Sequence, residues 1–142
     1  GAMAVGASQQ KVALMRRFGE AVGMAFQIQD DILDYTRTAH TGKPANNDLR
    51  EGKITLPLLA VLDKAPAERR TELLGRLACC HDDEESVEYL QRTVENEGGL
   101  TFAAEVMRSY IARAVEMLSE YEASDYRTAL ANLCAYIAER DR

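Results

Sequence analysis

Asp30, Asp31 and Asp34 crowd one face of a helical stretch, and Gln27 stands one turn before them. At 100° per residue, Glu20, Gly23, Gln27, Asp30, Asp31 and Asp34 fall within an arc of roughly 100°. Phe18, Val22, Ala25, Phe26, Ile32 and Leu33 lie on the opposite side. Carboxylates this close repel one another. They also come at the C-terminal end of the stretch, where the macrodipole disfavours anions further. A sequence that accepts both penalties points to a cation there. Oxygen ligands without His or Cys suit Mg²⁺, which takes one or two carboxylates and fills its shell with water and substrate phosphate. Complementary charges follow: Lys43 lies between Gly42 and Pro44, Lys53 follows Gly52, and Asp48 and Arg50 lie between them. Lysines beside glycine approach an anion closely and donate to phosphate oxygens as point charges. Carboxylates, Mg²⁺ and lysines together can bind a diphosphate and neutralise one that is leaving. Neither Gly-Lys pair is a P-loop, since the first glycine of GxxxxGK[ST] would fall at Arg37 or Asn47.

The elements that must position these groups read as helices throughout. No proline interrupts Ala4 to Tyr35, and Val12, Met15, Phe18, Val22, Ala25, Phe26 and Leu33 recur at helical spacing. Thr36 to Lys53 reads as a polar loop marked by Gly42, Pro44, Asn46, Asn47 and Gly52. Thr55 then caps a short helix, Leu56 to Leu62, with Pro57 in its first turn. Further helices are expected over Ala67 to Cys79, from a capping box at Asp82 and Glu85 to Gly98-Gly99, over Leu100 to Tyr121, and from Ser124-Asp125 to Arg140. No strand alternation and no internal repeat is present. The fold class is all-α, an antiparallel bundle of five or six helices.

The whole composition narrows the function. Seventeen basic against 23 acidic residues leave a net charge of −6, which argues against nucleic acid or an anionic membrane as the main partner. No apolar run approaches the roughly 20 residues of a membrane span, and three cysteines, two adjacent, suit a reducing cytoplasm rather than a disulfide framework. Cys79-Cys80-His81 reads as structural, Asp82 to Glu85 as charge favoured at a helix start, and His40 as a solvated loop residue. Met15, Met24, Met107 and Met117 read as core filler, and Tyr110, Tyr121, Tyr126 and Tyr136 as packing residues.

The string from Gly23 to Tyr35, followed by Gly42-Lys43-Pro44, Asp48-Leu49-Arg50-Glu51-Gly52-Lys53 and Thr55-Leu56-Pro57, closely resembles the trans-type polyprenyl diphosphate synthases. There it is the second aspartate-rich motif, DDxxD, with the lysine-bearing loop behind it. The tail from Tyr126 to Arg140 resembles the family's last helix, where Arg140 matches a position near the second substrate but reads here as surface. The wording at Asn46-Asn47-Asp48 is most similar to bacterial long-chain, octaprenyl-type members. The resemblance implies an isoprenoid synthase fold. It also implies a reaction in which an allylic diphosphate ionises, isopentenyl diphosphate attacks the cation and a proton is lost.

Carried onto this sequence, the resemblance makes Asp30 a ligand of Mg²⁺ on the allylic diphosphate, with Asp31 and Asp34 as ligands or supporting carboxylates. Gln27 would orient water or diphosphate, Lys43 and Lys53 would contact diphosphate oxygens, and Asp48 would support the metal through water. The first DDxxD and the residues for isopentenyl diphosphate are not among these 142 residues. Gly1-Ala2-Met3 reads as a cloning scar, since no initiator Met leads the chain, and residues 4–142 read as the C-terminal half of a synthase domain, expected to be inactive alone. Apolar faces normally covered by the first half are expected to drive self-association, as a homodimer or otherwise. A natural, short, non-catalytic helical subunit of a two-component synthase is the alternative. A terpene cyclase of the same fold would carry Asn, Ser or Thr and Glu in its second motif, which Asp30-Asp31-Ile32-Leu33-Asp34 does not match.

Overall fold

A computed structural model describes residues 6–36 and 46–139. Its helices are α1 (Gln9–Thr36), α2 (Asn47–Arg50), α3 (Leu56–Lys64), α4 (Ala67–Cys79), α5 (Glu84–Asn96), α6 (Gly99–Ser119) and α7 (Asp125–Glu139). Among the described residues no strand forms, as expected for an all-α chain. Nor is any of these helices long and apolar enough to cross a membrane. The chain divides into two compact units, one of residues 1–29 and 106–142, the other of residues 30–105. Both α1 and α6 contribute to each.

In the first unit, α1 buries Phe18, Ala21, Ala25 and Ile28, α6 buries Met107, Ile111, Ala114 and Leu118, and α7 buries Cys134 and Ile137. Every interval within a helix is three or four residues, the spacing that puts side chains on one face. Ser124 caps α7 as expected, its Oγ accepting from the Arg127 N–H at 3.2 Å. The Tyr121 hydroxyl donates to the Lys11 carbonyl at 3.1 Å.

The second unit has its own core. Tyr35, Leu49, Leu58, Val61, Leu62, Leu73, Leu77, Cys80, Val87, Leu90 and Val94 pack into one cluster, and each large apolar side chain so buried contributes about 1.5–3 kcal/mol. Helix α5 packs against α2, α3 and α4. Arg70 closes the C-terminus of α3, its guanidinium donating to the carbonyls of Leu62 at 2.9 Å and Ala65 at 3.3 Å.

Several details differ from expectation. A four-residue helix, α2, stands where the sequence reads as loop. The cap of α5 is Asp83 rather than Asp82: its carboxylate accepts from the Glu85 N–H and the Ser86 hydroxyl. Either aspartate suits an N-cap, though only Asp82 has a glutamate three residues on, and Asp83 is the one with extended backbone at the helix entry. Along α1 the buried stripe is Phe18, Ala21, Ala25, Ile28, Ile32 and Tyr35, whereas Phe26 is exposed. Met24, Tyr126 and Tyr136 are exposed too, not core or packing residues. Residue type alone did not reveal which side of each helix meets a neighbour.

Candidate functional site

The motif lies on the last turns of α1, where the helix enters the second unit. Asp30 and Asp31 are half-buried there. Asp34 is 6% exposed, although the helical wheel puts it on the polar face. The reason is α2, which folds over it: the Asp48 N–H donates to Asp34 Oδ2 at 2.9 Å, and the Asn46 N–H to the Asp34 carbonyl at 2.9 Å. The Asp34 carboxylate thus meets a donor at the N-terminal turn of α2, where a negative charge is favoured.

Asp48 and Lys53, expected to serve metal and diphosphate, come together. Lys53 Nζ lies 3.3 Å from Asp48 Oδ1 and 2.6 Å from Glu51 Oε2. The Glu51 carboxylate first, then that of Asp48, holds the ammonium above its ordinary pKa. The pairing follows from how α2 ends. The Lys53 N–H donates to the Asp48 carbonyl at 2.8 Å and the Gly52 N–H to the Leu49 carbonyl at 3.0 Å, with Gly52 at φ +69°. These are the two bonds of a Schellman turn, which doubles the chain back so that its last residue returns to its first. Gly52 is needed for its backbone alone, since a Cβ there would meet nothing. Gly52→Ala is therefore expected to cost about 1–2 kcal/mol, read by urea denaturation, with Gly52→Asn costing clearly less.

Two further anchors were not foreseen. Arg50 Nη2 contacts Glu84 on α5 at 2.7 Å, and Asn46 Nδ2 donates to Gln91 Oε1 on α5 at 2.9 Å. Asn46 is 5% exposed and takes φ 60°, a left-handed conformation that asparagine tolerates better than most residues. The Tyr35 hydroxyl is buried against Thr55, but neither oxygen completes a hydrogen bond of good geometry. Burial above all, then the carboxylates of Asp34, Asp48 and Asp31, pushes the Tyr35 phenol well above its usual range, so it stays neutral.

Lys43 and His40 lie outside the described residues. Gln27 is exposed in the first unit, while Gln29 is buried with its Nε2 unpaired. Among the described residues no three carboxylate, imidazole or thiol groups cluster tightly enough to cage a metal. A closed cage is not what Mg²⁺ needs, because it keeps most of its shell for water and phosphate. The all-oxygen pair Asp30–Asp31, half-buried at the anion-disfavouring end of α1, fits that requirement.

The polyprenyl synthetase family profile matches residues 1–96. The short chain isoprenyl diphosphate synthase of Methanothermobacter thermautotrophicus is 34% identical over 142 residues, 99% of this chain and 43% of the relative. Heptaprenyl diphosphate synthase component 2 of Geobacillus stearothermophilus is 33% identical, again over 99% of this chain and 43% of the relative. The solved polyprenyl synthase of Caulobacter crescentus CB15, complexed with calcium and isoprenyl diphosphate, superposes with a TM-score of 0.84 at 32% identity, covering 99% of this chain and 43% of that one. The chain spans less than half the length of these relatives. The all-α architecture of the isoprenyl diphosphate synthases is thus reproduced across these residues.

Proposed function

The chain belongs to the polyprenyl synthetase family, and on that premise we propose that it carries the second aspartate-rich site of a Mg²⁺-dependent prenyltransferase. The whole enzyme condenses an allylic diphosphate with isopentenyl diphosphate into all-trans polyprenyl diphosphates. One observation supports this most. Asp34, Asp48 and Lys53, 19 positions from first to last, form a bonded series beside Asp30 and Asp31.

In this reading Asp30, with Asp31, holds the metal, and the calcium bound by the Caulobacter relative supports a divalent ion. When bound, Mg²⁺ supplies Lewis-acid stabilisation of the departing diphosphate. Lys53 leaves Glu51 and Asp48 to donate to diphosphate oxygens, and Lys43 is a second donor to them. Gln27 orients water or diphosphate from the exposed face of α1. Asp48 supports the metal through water, and Asp34 keeps Asp48 in place. Asn46 heads α2 and its side-chain amide donates to Gln91, and the likeness of Asn46-Asn47-Asp48 to octaprenyl-type members favours a long-chain product. Exposed Phe26, Tyr126, Leu133 and Tyr136 support self-association of these residues or cover by further helices.

These 142 residues hold one of the two motifs and are expected not to elongate a primer alone. The test joins them to the N-terminal portion of a related synthase carrying the first motif. Radiolabelled isopentenyl diphosphate is then followed onto an allylic primer with Mg²⁺. Products longer than the primer support the reading, and their absence overturns it. A second reading, a helical subunit working with another chain, rests on the similarity to component 2 of the Geobacillus heptaprenyl diphosphate synthase. It predicts activity only when a separate partner chain is added.

A further inference from the structure

Helix α5 carries none of the motif, yet it holds both ends of α2. Glu84 and Gln91 lie seven residues apart, two turns along one face of α5. Glu84 takes Arg50 at the end of α2, Gln91 takes Asn46 at its head, and Leu49 between them is fully buried in the cluster that includes Val87 and Leu90. Gln91 does more than its partner. Its Nε2 donates to the Tyr35 carbonyl at 3.1 Å and to Glu95 Oε1 at 3.3 Å, while its Oε1 accepts from Asn46 at 2.9 Å. The amide orientation follows from its partners, since a carbonyl only accepts and an Asn amide nitrogen only donates. Tyr35 is the residue after Asp34, and Asn46 is two before Asp48.

We infer that Gln91 is a positioning residue: one side-chain amide on α5 ties the last turn of α1 to the head of α2, and so sets the Asp34–Asp48–Lys53 series against Asp30 and Asp31. The two bonds use opposite ends of the amide, and no residue with only donors or only acceptors makes both. A carboxylate keeps the Asn46 bond but confronts the Tyr35 carbonyl and Glu95. A thioether of similar size keeps the packing and loses both. The Tyr35 carbonyl also belongs to the end of α1, where orphan acceptors need a donor, so Gln91 closes α1 while it opens α2.

The inference rests on the proposed metal–diphosphate reading, and the test separates the two. The full 142-residue chain is prepared as wild type, Gln91→Met, Gln91→Glu and Asp30→Ala. Amide hydrogen exchange is followed at Asn46 and Asp48, whose N–H groups both bond to Asp34, with Leu77 and Leu90 as core references. Binding of inorganic pyrophosphate with Mg²⁺ is measured by calorimetry. Gln91→Met is expected to lose about tenfold protection at Asn46 and Asp48 while Leu77 and Leu90 are unchanged, and to bind pyrophosphate about tenfold more weakly. Gln91→Glu is expected to be worse at both. Unchanged protection at Asn46 and Asp48 overturns the positioning role whatever happens to binding. So does a uniform loss across the core references, which marks a packing role only. Pyrophosphate binding that ignores Asp30→Ala overturns the metal–diphosphate reading instead.

Discussion

Asp30→Ala, in the joined two-motif enzyme, is expected to slow prenyl transfer about a thousandfold, the equivalent of about 4 kcal/mol of transition-state stabilisation. That is the scale of a metal ion neutralising charge on a leaving group. The effect should fall on turnover with Mg²⁺ saturating, because the departing diphosphate carries more charge than the bound one. Asp34→Ala provides the contrast. Its carboxylate is buried and accepts the Asp48 N–H, so removing it strands a buried donor, at about 1–3 kcal/mol. Its damage should therefore appear in thermal denaturation as well as in activity. Steady-state kinetics and melting curves on the two variants separate a metal-holding carboxylate from a turn-holding one. Equal loss of stability in both, or transfer by Asp30→Ala within tenfold of wild type, would remove Asp30 from the proposed site.

Gly99→Ala is expected to be the most damaging single-methyl change in the second unit. A Cβ there would lie 2.4 Å from the Pro57 carbonyl oxygen, 3.0 Å from Val94 Cγ1 and 3.1 Å from Val61 Cγ2. The nearest of these is backbone in the first turn of α3, so relief requires the starts of α3 and α6 to part. Overpacking of this kind costs about 1–3 kcal/mol, which for a chain of this size lowers the melting temperature by several degrees. Gly98→Ala is the control. Gly98 takes φ +79° with nothing within 4 Å of its missing Cβ, so its penalty is conformational, and Gly98→Asn should recover much of it. Gly99→Ser should recover nothing. Calorimetric melting of the four variants decides. Movement at Pro57 also reaches the site, because Thr55 stands at the N-cap of α3 and Lys53 lies two residues before Thr55.

These glycines show what a sequence makes legible. Gly98 follows an amphipathic stretch and Gly52 marks a polar loop, and each reads as punctuation, because a glycine at a turn or just past a helix meets a local backbone need. Gly99 beside them looked the same, yet its reason is a carbonyl 42 residues away. Lys53 and Asp48 were singled out by type and spacing, but their salt bridge depends on α2. Four residues are too few for a periodic signal, and so short a helix is held by its ends rather than by propensity. Gln91 left no trace, because a glutamine on the polar edge of a helix looks like solvated surface until its partners are known.

The sequence by itself determined the all-α class, the span of the longer helices, the family and the carboxylates and lysines that could meet a diphosphate. The class and the helices rest on residue type repeated at a fixed local interval, and the family on the resemblance of the ordered string from Gly23 to Pro57. Tertiary structure alone decided that Asp34 turns inward to hold α2, that Asp83 caps α5, that Phe26 and Met24 face outward and that α5 carries the turn behind the motif. Those outcomes depend on which surfaces meet across tens of residues, and burial and hydrogen-bond geometry are properties of the meeting, not of the local pattern.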